Sequence, residues 1–187
     1  QVSRTFKISC DSDMRISYQQ LGHAIKECEP DYDLVVIGTS GPDDLLALIS
    51  GGHAYPIIRA SALPVLLIPE GNAYQGFQKI TFAFDYWRKL ILPVEPLLWL
   101  VRKYQSELTV LQVMEESVSD EAEAELRQLQ HKFNADKNRH LHFHTTHARK
   151  VPEAIDHYIQ HNQPDLLALC ITHDGWLTRL FHRSAIK

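Results

Sequence analysis

The sequence predicts an α/β fold: a parallel sheet with helices on both faces, built as a tandem repeat along the chain. Three observations point that way. Short apolar runs, Asp33–Ile37 and Asp165–Ile171 foremost, have the length and composition of strands buried on both faces. Segments of helical periodicity lie between such runs, and strand–helix alternation is the pattern of parallel sheets. The chain also repeats itself. An offset of 132 lays Asp33–Ile37 on Asp165–Leu169, and an offset of 134 lays Leu21 and Ile25 on Ile155 and Ile159.

Taken in order, residues 4–10 alternate loosely and read as a strand. Residues 16–28 form an amphipathic helix with Leu21, Ile25 and Cys28 on one face. Asp33–Ile37 is the next strand, and a glycine-bearing loop follows it. Pro42, Asp43 and Asp44 start a short helical turn over 43–50. A helix over 53–62 carries proline in its first turn, and the strand Val65–Ile68 is closed by Pro69. Residues 70–77 hold two glycines and no strong period, so they read as a linker. Beyond them come strand 79–84, helix 94–105, strand 108–114 and an acidic helical segment over 115–130. Strand 140–146, helix 152–161 and the final apolar strand complete the chain.

Composition narrows the function classes. With 187 residues, 44% apolar and 22% charged, the chain is ordinary globular protein. A net charge of -4 argues against a general nucleic-acid binder. No apolar run approaches the length of a membrane span. The three cysteines, Cys10, Cys28 and Cys170, are an odd count without CxxC spacing, which argues against a disulfide framework and a thiolate zinc site and suits a reducing cytoplasm.

The most informative stretch is Gly38-Thr39-Ser40-Gly41, followed after nine residues by Gly51-Gly52 and His53. Glycines at the end of a parallel strand let backbone N–H groups come close to a ligand, and a helix N-terminus beside them suits an anion. Read alone, the same glycines equally end a strand and cap a helix. Asp43 and Asp44 speak for that second reading, since a helix start served by its own carboxylates needs no phosphate.

The spacing matches G-x2-G-x9-G-[ST], the nucleotide loop of the universal stress protein family, except that Gly52 stands where the family has Ser or Thr. The flanks agree: residues 31–41 look like that family's fourth strand and 63–71 like its last. The resemblance implies a Rossmann-like fold of the adenine nucleotide alpha hydrolase type. Residues 1–73 would be the C-terminal half of one unit, and 77–187 a second unit lacking its last strand. Tandem members pair their units through the last strands, which would set Val65–Ile68 at the junction.

It also implies a site. Gly38, Thr39, Gly41, Gly51, Gly52 and His53 would hold the phosphates of ATP or a related nucleotide, with magnesium as a companion ion. Asp85, at the end of the second unit's first strand, matches the acidic residue that meets the adenosine part. Val113 resembles the residue beside the base. In the second unit the offset puts Cys170, His173, Arg183 and Ser184 where the first has Gly38, Gly41, Gly51 and Gly52, so three side chains fill space a phosphate needs. Arg179, His182, Arg183 and Lys187 form a small basic cluster there.

Two further patterns carry chemistry. His140, His142 and His144 share one face of a strand and are a candidate metal set. However, same-face neighbours stand about 7 Å apart, which favours a polar strand face. His157 and His161 sit at helical i, i+4 spacing and read as a solvated helix face. No Ser-His-Asp constellation, catalytic carboxylate pair or Walker lysine stands out. The expectation is a cytoplasmic nucleotide-binding stress-response regulator that is not an enzyme, slow ATP hydrolysis aside. Its units pair within one chain, a homodimer is left open, and neither nucleic acid nor membrane is a partner. The alternative is a scaffold that binds no nucleotide and acts through dimerisation.

Overall fold

The computed structural model describes residues 7–12, 21–39, 54–84, 95–114 and 140–170. In order the elements are α1 (Leu21–Cys28), a 3-10 turn (Glu29–Asp31), β1 (Val35–Thr39), α2 (Ala54–Ala60) and β2 (Val65–Pro69). They continue with β3 (Lys79–Phe84), α3 (Glu95–Tyr104), β4 (Glu107–Met114), β5 (Leu141–His147), α4 (Val151–Asn162) and β6 (Leu166–Leu169). Among the described residues every strand pairing is parallel. β1 pairs with β2, and the second sheet has the order β5-β4-β3-β6. Among the described residues no helix is long and apolar enough to cross a membrane.

The elements agree with the periodicity, with three differences. The part of the 4–10 segment that is described, residues 7–10, is irregular, with Lys7 at φ 54° and Ile8 exposed. β1 runs to Thr39, two residues beyond Ile37, so Gly38 and Thr39 belong to the strand rather than to the loop. The final strand stops at Leu169. The turn predicted over 43–50 and the acidic segment 115–130 lie outside the described residues.

The first half is held by a close helix crossing. A Cβ built on Gly22 of α1 would stand 2.9 Å from the Ala60 Cβ and 3.1 Å from the Pro56 carbonyl oxygen of α2. Only glycine lets the two helices approach that far. Glu29 locks the same corner, accepting a hydrogen bond from the Ala62 N–H at 2.7 Å. Its carboxyl is held below the usual glutamate range, chiefly by the Ser61 hydroxyl and then by backbone N–H groups.

The second half buries apolar side chains on both faces of its sheet. On one face Ala83 and Leu111 pack with Val151, Ile155 and Tyr158 of α4. On the other, Ile80, Phe82 and Leu108 pack with Val101 of α3. A sheet covered on both sides explains why β3, β4 and β6 read as near-continuous apolar runs. Ile58 of α2 packs against the α4-side cluster, so a helix of the first half touches the core of the second. β2, expected at that junction, has β1 as its strand partner and leaves Ile68 exposed.

Two polar devices start the second sheet. The Asp165 carboxylate accepts the backbone N–H groups of Gln78 and Lys79, both at 2.8 Å, while the Asp165 N–H donates to the Lys79 carbonyl. The buried Ser106 hydroxyl donates to the Phe77 carbonyl, pinning the linker to the start of β4. Phe77 itself is wedged edge-on between Tyr74 and Tyr104, each ring 5.2 Å away. A hydrogen bond to Tyr104 pushes the Tyr74 hydroxyl's pKa upward.

Candidate functional site

Parallel α/β sheets bind ligands beyond the C-terminal ends of their strands, where the strand order reverses. In the second half the chain steps outward from β3 to β4 to β5, then returns to β6 on the opposite side of β3. The reversal therefore lies between β3 and β6, whose ends are Phe84 and Leu169. Asp85, the next residue after β3, lies outside the described residues, as do Gly41, Gly51, Gly52, His53, His173, Arg183 and Ser184.

Cys170 is the residue that the repeat aligns with Gly38. It is half-buried, packs against the α3-side cluster, and burial pushes its thiol pKa upward. A thiol held in its neutral form among apolar side chains is a poor nucleophile. It does not leave the opening that a glycine would.

Val113 is part-buried against the α4-side cluster, so its side chain serves the core. Its neighbour is more informative. Gln112 is only 3% exposed, and among the described residues its Oε1 has no hydrogen-bond partner. It stands in register with Phe84 of β3 and Thr145 of β5, near the C-terminal end of the sheet. The sequence signal was present: one amide inside the apolar run Leu108–Met114.

The first half presents the other end of the pattern. Gly38 pairs in register with Ile68 and Thr39 with Pro69. Gly38 has no positive φ, and among the described residues a Cβ built on it meets nothing within 4 Å. Among those residues, neither backbone conformation nor packing requires glycine here. The adjacent Thr39 Oγ1 is buried and, among the described residues, lacks a partner. Buried polar atoms are normally satisfied, so this hydroxyl is left for a partner beyond the described residues, whether protein or ligand.

β5 starts at Leu141, so His140, expected on the same strand face, precedes the strand, while His142 and His144 lie on it with separate neighbours. His142 Nε2 lies 3.2 Å from Glu107 Oε1, and the His144 ring centroid lies 5.1 Å from that of Tyr158. Among the described residues no three His, Cys, Asp or Glu side chains are grouped to hold a metal ion.

No family model matches the sequence, and no curated protein matches it. Solved structures do. A universal stress protein from Archaeoglobus fulgidus DSM 4304 superposes with a TM-score of 0.63 at 17% identity, over 86% of this chain and 57% of that one. A Pseudomonas aeruginosa UCBPP-PA14 protein classed with the universal stress proteins gives 0.55 at 18% identity, over 78% and 55%. The chain thus spans little more than half the length of either structure. With parallel strands, a reversal of strand order and these likenesses together, the chain has the fold of the universal stress proteins.

Proposed function

We propose that this chain is part of a stress-response regulator that binds ATP or a related nucleotide at the C-terminal end of β1, as a sensor rather than an enzyme. The observation that carries the reading is the Gly38–Thr39 pair: among the described residues, a strand glycine that no neighbour requires, beside a buried hydroxyl without a partner. Phosphate oxygens would accept from the Thr39 hydroxyl and from backbone N–H groups of the loop that continues to His53. Gly52, replacing a hydroxyl residue of the family motif, withholds one phosphate hydrogen bond, a loss of about 1–3 kcal/mol for a charged acceptor. Magnesium bound with the phosphates would offset the charge of Asp43 and Asp44. The second half, with Cys170 in place of glycine, contributes no such cradle.

A second reading has its own observation. Val36 and Ile68 of the β1–β2 sheet are exposed, as is Leu34 just before β1, and Val36 is 55% exposed. Parallel sheets are normally covered on both faces, so this surface suits a dimerising scaffold.

Calorimetric titration with ATP and magnesium separates the two. Gly38→Val should leave the melting midpoint unlowered, because the site is open and valine suits a strand. It should weaken ATP binding at least about tenfold by closing the approach to the backbone, a change of roughly 1.4 kcal/mol. Equal ATP affinity in both proteins refutes the proposed cradle, and no binding by the wild type hands the case to the scaffold.

A further inference from the structure

We infer that His157 and His161 form a surface chelate for a divalent transition ion of the Cu2+, Ni2+ or Zn2+ class. Both are exposed on α4, while Val151, Ile155 and Tyr158 of the same helix are buried. Positions four apart stand one above the other on a helix, where paired imidazoles can share an ion. Here the two rings are stacked, with centroids 4.1 Å apart and planes inclined by 32°, so both side chains cover one patch of the helix surface. Swinging the His157 ring out of the stack would turn its in-plane lone pair toward an ion shared with His161, at metal–nitrogen distances of about 2.0–2.1 Å.

A second observation fixes the chemistry of one ligand. His161 Nδ1 lies 2.9 Å from the His157 carbonyl oxygen. A carbonyl can only accept, so Nδ1–H is the donor and the neutral ring keeps its lone pair on Nε2. Imidazoles that ligate metals are commonly oriented in this way, by donating the other ring N–H to a backbone carbonyl. The bond ties the ring to the turn below it and reduces the orientational freedom lost on binding.

Water completes the coordination shell. Glu153, one turn earlier on the same stripe, is held by Lys150 Nζ at 2.6 Å. An open site with two imidazoles and exchangeable waters binds labile ions in the Irving–Williams order, with Cu2+ tightest. The strand histidines are less suited: His142 is paired with Glu107 and His144 lies against Tyr158.

The test is calorimetric titration of the whole chain with Cu2+ in a glycine buffer that suppresses weak sites. Wild type is compared with His157→Ala, His161→Ala and, as a control, the double variant His142→Ala/His144→Ala. Circular dichroism confirms that each folds, as expected for exposed positions. The expected result is one tight site that each helix substitution weakens at least about tenfold and the control leaves intact. The absence of a tight site overturns the inference. So does one that survives both helix substitutions, or one lost with the strand pair.

Discussion

Gly22 and Leu111 bear the heaviest packing demands among single residues. Gly22→Val must push α1 away from Ala60 and the Pro56 carbonyl, and overpacking of that kind costs about 1–3 kcal/mol. Leu111 is fully buried between β3, β5 and α4, so Leu111→Ala should cost about 2–5 kcal/mol. Chemical denaturation of each variant checks both figures. Glu29 gives a pH-dependent counterpart. Its folded pKa is depressed, so its contribution is present above the unfolded glutamate value and is lost as pH falls through the lower folded value. Glu29→Gln should therefore lower the melting midpoint at neutral pH, and the gap to wild type should close below the glutamate range. A gap independent of pH would contradict the assignment. Leu111 lies inside a strand that was legible over 108–114, although nothing in that run marked it as the most buried position. Gly22 was not legible, because a glycine inside a helical pattern does not say which neighbour it admits.

Among the elements, the start of β3 and the end of α4 make separate demands. Asp165 accepts two backbone N–H groups at the entry to β3, joining it to β6 across the reversal in strand order. Asp165→Ala should cost about 1–3 kcal/mol, and Asp165→Asn less, since an amide oxygen still accepts. α4 ends with Gln163 in the left-handed region at φ 46°, where its N–H donates to the Ile159 carbonyl at 2.8 Å. Glycine there should stabilise the chain by roughly 0.5–1 kcal/mol, because the strain of a side chain at positive φ is removed. Most strands and helices were legible, because apolar runs and helical periods follow directly from burial on two faces or one. The limits of β1 were less so. Its strand continues through Gly38 and Thr39, and glycine in a sequence signals a turn more readily than an open strand end. Val113, expected from the resemblance, packs its side chain against the α4-side cluster, and the adjacent Gln112 carries an acceptor that has no partner among the described residues.

At the scale of the molecule, β1 pairs with the strand that follows it, β2, whereas β6, which the 132-residue offset aligns with β1, pairs with β3. The junction through Ile58 was not legible, since nothing in α2 marks which helix covers which core. The central claim is that a nucleotide sits at the Gly38–Thr39 end of β1. Native mass spectrometry of the gently purified full protein, beside its Gly38→Val variant, tests it most directly. Wild type should carry the added mass of an adenine nucleotide at sub-saturating ATP with magnesium, and the variant should carry markedly less, in line with an affinity at least about tenfold lower. A wild type that stays free of added mass even under saturating ATP, or a variant as fully loaded as wild type at sub-saturating ATP, overturns it.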